Sequence, residues 1–287
     1  MGLGTNHYTT TETAPLSPTL YARMVLDKLT ANKPALSFFT DYSGMWNGEG
    51  KGTALVVPKP ATFAKYDKSA DTPVTFQKPS IGSATITLNQ HYEVSFMVED
   101  AVKGKTRDIF VRSSLDNIID TLADAVDTYI LGLGDGFATT VAASTNTGDN
   151  LYANFLTARK TLNAAKVSGD GRGWFLGPDM ENRCMNMTQF INSQYRGSTP
   201  VESGSTGGAR FLGADVMMCH NIEAATVTTT TDDNFYAHKS AIGYIIAVQN
   251  VVEAYHAEYL GTQYTAHILF GATVLDTARG VLITSVY

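Results

Sequence analysis

The sequence predicts an α+β fold, with strands and helices grouped along the chain instead of strictly alternating. Three observations predict it. Apolar residues recur every three to four positions from Val111 to Ile130, the period of one long helix. Residues 84–90 alternate apolar and polar, the period of a half-exposed strand. Threonine fills 36 of 287 positions while charged residues fall to 17%, against about 25% in ordinary domains. That balance favours extended chain and a surface covered by neighbours.

In chain order, residues 2–41 are polar, Thr-rich and broken by Pro15, Pro18 and Pro34. Tyr21, Met24, Val25 and Leu29 are spaced for two helical turns, and the rest reads as an extended arm that needs a surface to rest on. Residues 48–98 read as a two-armed excursion. The run Thr53-Ala54-Leu55-Val56-Val57 stops at Pro58-Lys59-Pro60, and residues 84–90 return. Between them the tip, 61–83, holds Pro73, Pro79 and Gly82, which mark turns and irregular chain. Arms of about 15–20 residues would reach roughly 50–65 Å. Such a hairpin is not stable without a partner surface.

Residues 107–131 form the longest helix, with Leu115, Ile118, Ile119, Leu122 and Val126 continuing the stripe and glycines at 132, 134 and 136 ending it. Residues 139–150 read as loop. A second helix covers 151–166 with Asn150 as its N-cap. Gly173-Trp174-Phe175-Leu176-Gly177 is a short buried strand, and Pro178 opens a helix through about Asn186. Residues 197–208 are a Gly/Ser/Thr loop, 216–219 a strand and 227–233 a Thr/Asp loop. A final antiparallel sheet runs from Phe235 onward. No repeat of 20–50 residues is visible, which argues against a solenoid or propeller.

Several function classes are disfavoured by the bulk numbers. The formal net charge is −6 and no Lys/Arg run exceeds two residues, which disfavours direct, tight binding of nucleic acid. An acidic wall would instead keep DNA from adhering. Cys184 and Cys219 have no partner at metal-ligand spacing and read as thiols in a reducing compartment. The first residues have neither a basic nor an apolar leader region, and no apolar run approaches 18 residues. The expectation is a chain with no signal peptide and no membrane span.

The most specific signal lies in the last fifty residues. One segment is Phe235-Tyr236-Ala237-His238-Lys239-Ser240-Ala241-Ile242-Gly243, and the other runs from Phe270-Gly271-Ala272-Thr273-Val274 to Val281. These resemble the C-terminal sheet of the major capsid proteins of tailed bacteriophages. There an H-K/R-S-A-x-G segment precedes paired strands and an F/Y-G-x-x-V/L turn precedes the last one. His238, Lys239, Ser240, Ala241, Gly243, Phe270 and Gly271 carry the match, which is closest to the short-tailed phages. The order of elements is also similar to that of the HK97-type capsid fold.

The resemblance implies an HK97-like fold in five stretches. These are an N-terminal arm (1–41), an extended β-hairpin or E-loop with its base (42–98), a peripheral domain with a long spine helix (99–150), an axial α/β domain (151–234), and a return to the peripheral antiparallel sheet (235–287). It implies a major capsid protein that assembles, as hexamers and pentamers, into an icosahedral shell around double-stranded DNA. The DNA would be a partner by proximity, with no sequence reading, no cofactor, no metal and no catalysis. The chain would be assembled in the host bacterial cytoplasm and end in the virion, with no membrane contact. Only about 40 residues precede the hairpin, so a separate scaffolding protein is expected, together with a portal. The Lys–Asn cross-link of some family members is not carried over, because no local motif marks it here.

The inter-subunit candidates come from charge and exposure. Lys59, Lys65, Lys68 and Lys78 make the hairpin basic, and Phe63, Tyr66 and Phe76 are aromatic residues on a segment too thin to bury them. Asp116, Asp120 and Asp124 stand at i, i+4, i+8 on the spine helix, where like charges cost about 0.2–0.5 kcal/mol per pair. The stripe is read either as a solvated face, as a counterpart to the basic hairpin, or as a lumenal face that repels DNA.

Other motifs read as structural. Lys105-Thr106 after Gly104 lacks the glycine that a P-loop needs at Glu99. The glycines at 132, 134 and 136 follow a helix where a dinucleotide fingerprint follows a strand. Residues 169–173 make a tight loop. His256, Glu258 and His267 are the sole metal candidates and are read as polar residues at alternating positions of one sheet face. Three rivals to the shell reading are an encapsulin-like nanocompartment, an α/β hydrolase or ligand-binding protein using 151–219 with Asp179, Glu181 and Arg183, and a tail or adhesin protein. The last would show β-repeats that are absent.

Overall fold

The computed structural model describes residues 33–49, 52–61, 63–103, 108–143, 148–187, 210–222 and 231–286. The expected helix at 21–29, the loop at 197–208 and the Lys105-Thr106 pair lie outside these. A short helix α1 (Pro34–Phe38), strand β1 (Thr40–Asp41) and helix α2 (Ser43–Glu49) lead into strands β2 (Ala54–Pro58) and β3 (Ser83–Thr87), which pair antiparallel. Strand β4 (Gln90–Glu99) and helix α3 (Asp100–Lys103) follow. The return arm is therefore two strands, broken at Leu88-Asn89: β3 closes the hairpin and β4 joins another sheet.

Helix α4 (Asp108–Gly132) is the long helix, 25 residues, about 37 Å at 1.5 Å per residue. A 3₁₀ turn over Leu133–Gly136 ends it. Here Gly134 is needed for closeness: a Cβ would come within 2.8 Å of the Phe235 ring. Then come β5 (Thr139–Ala143), α5 (Gly148–Ala164), β6 (Arg172–Leu176), α6 (Pro178–Cys184), β7 (Arg210–Phe211) and β8 (Ala214–Met218). The chain closes with β9 (Thr231–His238), β10 (Ile242–His256), β11 (Gly261–Val274) and β12 (Gly280–Val286).

Three expectations are corrected. Residues 139–143 are strand β5, because β12 arrives alongside it in parallel and supplies the ladder that Thr-Thr-Val-Ala-Ala lacks locally. Residues 231–233 are likewise strand, paired with β12. Helix α5 begins at Gly148, two residues before the expected N-cap position at 150.

The C-terminal stretch is divided between two sheets. Strands β10 and β11 form the centre of a four-stranded sheet, ordered β1-β10-β11-β4. Strands β9 and β12 instead sit inside a six-stranded sheet, ordered β5-β12-β9-β6-β8-β7. The expected single return to one antiparallel sheet is thus corrected. Buried on both faces, the second sheet reads as continuous apolar runs, Trp174-Phe175-Leu176 and Phe235-Tyr236-Ala237. Trp174, Leu176 and Tyr236 face α5 and α6, while Phe175, Phe235 and Ala237 face α4 and the core that also holds the first sheet. Cys184 lies in one core cluster and Cys219 in the other, both buried and neither in a disulfide.

Candidate functional site

The two C-terminal segments form a hub where several parts of the chain meet. His238 ends β9 and Ser240 follows in the turn to β10. The Ser240 backbone N–H donates to His238 Nδ1 (3.2 Å), and its hydroxyl lies 2.8 Å from the same nitrogen. Arg279 donates to Ser240 Oγ and is itself held by Asp276 Oδ2 at 3.0 Å. These donors assign Nδ1 as the acceptor, so the ring is neutral with its proton on Nε2. Burial lowers the His238 pKa first, a hydrogen bond with the Asp170 backbone opposes this, and Arg279, Lys239 and Arg172 lower it further.

Around this turn three chain segments meet. The Lys239 N–H donates to the Gly171 carbonyl (2.9 Å), and its own carbonyl accepts from Thr40 Oγ1 (3.0 Å). The fully buried Ala241 accepts from the Leu275 N–H (2.8 Å). Gly243 pairs with Thr40 of β1, with Tyr42 close enough to exclude a Cβ. Phe270 packs edge-on against Tyr92 and Tyr129, at 5.2 and 5.4 Å. At Gly271 a side chain would overlap the Thr87 carbonyl oxygen, because the hairpin base crosses β11 there.

Among the described residues, the hairpin is packed at its base. Ile86 and Ile245 are fully buried with Trp46 and Leu275, and Leu55, Val57 and Ala84 pack on them. From Pro60 to Gly82 the described residues have no regular structure beyond a turn at 70–71. Gln77 bridges the two arms, its amide accepting from the Ala64 N–H (2.8 Å) and donating to the Ala64 carbonyl. Phe63 is 68% exposed, Tyr66 58% and Phe76 91%. Lys59, Lys65, Lys68 and Lys78 are all exposed. Lys65 pairs with Asp67 at 3.0 Å, a solvent-facing contact of about 0–1 kcal/mol.

The aspartate stripe has an occupant inside the chain that the sequence reading missed. Lys33 lies 3.2 Å from Asp120 and 3.3 Å from Asp124, while Asp116 is exposed. Burial would lower the Lys33 pKa, but hydrogen bonds and attraction from both aspartates outweigh it and raise it. One turn on, fully buried Asp127 accepts from the Ala35 N–H (3.0 Å) and from Asn221 Nδ2 (3.4 Å). It caps α1 from a distance of 92 residues in sequence. Burial pushes its carboxyl up from 3.8 to about 6, against the hydrogen bonds that lower it. The available signal was the continuation of the stripe to Asp127.

His256, Glu258 and His267 are not brought together. His256 pairs with Gly261 at the end of the β10–β11 ladder, Glu258 lies in the turn, and His267 pairs with Asn250. His267 instead meets His91 edge-on at 5.6 Å. Among the described residues, no three His, Cys, Asp or Glu side chains are grouped to hold a metal ion. Arg183, in the last turn of α6, pairs with Asp179 one helical turn away (2.6 Å), and both are partly buried. No described helix is long and apolar enough to cross a membrane.

No protein-family model and no curated protein matches the sequence. Solved structures do. A chain of Mycobacterium phage Che8 superposes with a TM-score of 0.78 and 19% identity, covering 93% of this chain and 96% of that one. A chain from the capsid of cyanophage P-SCSP1u gives 0.77 and 14%, covering 92% and 91%. One from the mature capsid of bacteriophage PhiM1 gives 0.73 and 9%, covering 92% and 90%. Matched over 92–93% of its length, this chain has the HK97-type fold of phage capsid subunits.

Proposed function

We propose that this chain is the major capsid protein of a tailed phage, whose copies tile the icosahedral head around double-stranded DNA. The observation that carries this reading is the hairpin of a capsid fold whose tip its own chain leaves bare. Phe63, Tyr66 and Phe76 expose more than half of their surface each. Covering one such side chain is worth about 1.5–3 kcal/mol, and a neighbouring copy is the surface that repeats at every site in a shell. The C-terminal motif points within tailed phages to the short-tailed group.

In this reading residues 1–41 are the arm, 42–98 the E-loop and its base, 99–150 the peripheral domain, 151–234 the axial domain and 235–287 the return, with β9 and β12 lent to the axial sheet. The axial block surrounds the axes of hexamers and pentamers. A separate scaffolding protein and a portal are the helpers, the host cytoplasm the place of assembly, and the chain has no turnover. The basic hairpin lies over an acidic face of the neighbour. Asp116 is its first counterpart, since Asp120 and Asp124 already hold Lys33. Electron microscopy of the purified protein tests the reading: closed shells are expected, and rods or persistent monomers would overturn it. Changing Lys59, Lys65, Lys68 and Lys78 to Gln together should make assembly less sensitive to salt. Unchanged salt dependence would remove the hairpin's electrostatic role.

A further inference from the structure

Strand β10 has one covered edge and one bare edge. On the inner side β11 pairs with it as far as His256. On the outer side, among the described residues, β1 pairs only at Gly243 and Tyr244, and the Ile246 N–H donates to Ser43 Oγ (2.9 Å). From 248 to 255 every residue is exposed, and the run holds one charge, Glu253, and no proline. Folded proteins guard an open strand edge with charges, with proline or with a covering segment, and this edge has little of the first two. The hairpin tip has the opposite lack. Residues 74–78 are exposed and belong to no sheet, and among the described residues their backbone makes no hydrogen bond. An edge without a strand and a strand without a sheet are complementary.

We propose that residues 74–78 of one copy add as a strand to the outer edge of β10 in a second copy, an inference that rests on the shell reading above. Both parts are exposed in the single chain, so the strand comes from another molecule. Val74, Thr75 and Phe76 favour extended chain, and Pro73 and Pro79, which lack an N–H, limit the ladder to the five residues between them, about 17 Å. Charge selects the edge and the register. Residues 242–274 carry Glu253 and Glu258 and no Lys or Arg, while the tip carries Lys65, Lys68 and Lys78. A parallel alignment of 74–78 with 249–253 sets Lys78 beside Glu253 and Phe76 beside Val251. The antiparallel alignment that joins the same two charges would carry Val74 past His256, where β10 ends. Asp116 adds to the attraction. The α1 segment ties Asp127 to the Tyr244 end of β10, through Ala35 and Leu36, and Ile119 lies by Val251, so Asp116 stands toward the Glu253 end.

Hydrogen exchange on the full-length chain, compared between assembled particles and dissociated subunits, tests this. Alternate amides of 74–78, and those amides of 248–255 that face away from β11, should exchange at least ten-fold more slowly in particles. Closed particles that form without this protection would overturn the added strand and leave the shell reading standing. A chain that forms no particles would overturn both. Charge reversal is the second readout, at two exposed positions. Lys78→Glu and Glu253→Lys should each raise the protein concentration needed for assembly by about three-fold, the scale of one surface ion pair. The double variant, which restores opposite charges at the contact, should return to the unmodified value. A double variant as poor as the two single changes combined would place the tip elsewhere on the neighbour and overturn the proposal.

Discussion

Phe235 and Phe76 are the same residue type treated in opposite ways. Phe235 is fully buried, stacked on Phe175 at 4.6 Å and flanked by Phe39 and Phe137. Phe76 is 91% exposed at the hairpin tip. The difference lies in the number of layers. Around the hub, α4, two sheets and the end of the arm converge, so every ring finds a facing surface. The tip is two arms with no third element, and two strands cannot enclose a side chain. The hub is filled from within one chain, while the rings of the tip stay exposed in it.

Mutations should separate the two regions sharply. Phe235→Ala removes a ring from the shared core and should cost about 3–5 kcal/mol of subunit stability by chemical denaturation. A loss below about 1 kcal/mol would mean that the hub is not the stabilising centre. The anchoring of the arm should appear as a pH effect at Asp127. Folding raises its carboxyl from 3.8 to about 6, so between these values the folded chain binds more protons than the unfolded one. The Asp127 contribution to stability is therefore greatest below about pH 4 and is lost as pH rises through 6, a change of roughly 3 kcal/mol. Asp127→Asn should flatten the denaturation midpoint across that window, and an unchanged slope would assign it to other groups.

Gly271→Ala tests the seam between the regions. The new methyl meets the Thr87 backbone, which must shift, and overpacking of this kind costs about 1–3 kcal/mol. Hydrogen exchange should then rise in β2 and β3 and leave β6 and β9 unchanged. The smallest effect on the subunit is expected from Phe76→Ala, within about 0.5 kcal/mol. The same change should raise the protein concentration needed to form shells. Equal assembly by the variant would show that the tip's largest exposed ring is not an interface residue.

Much of the architecture was legible because it rests on local periodicity. The stripe from Val111 to Ile130 marked α4 to within a residue at each end, and Pro178 marked the start of α6. The segments from His238 to Gly243 and from Phe270 to Gly271 pointed to the capsid fold. What they do was not legible. That Gly271 is a crossing point follows from the path of Thr87, and that Ser240 is gripped by Arg279 follows from a turn 39 residues away.

The sequence by itself determined the long helices, the strands with a clear apolar pattern, and the aromatic residues on the thin hairpin, because these depend on neighbours two to four positions off. Tertiary structure alone decided the pairing. It made a strand of residues 139–143 by laying β12 beside them, split the C-terminal strands between two sheets, and turned an acidic stripe into the anchor for Lys33 and Ala35. A strand's ladder and a carboxylate's partner come from whichever distant segment the folded chain brings alongside. No window of sequence contains both halves of such a contact.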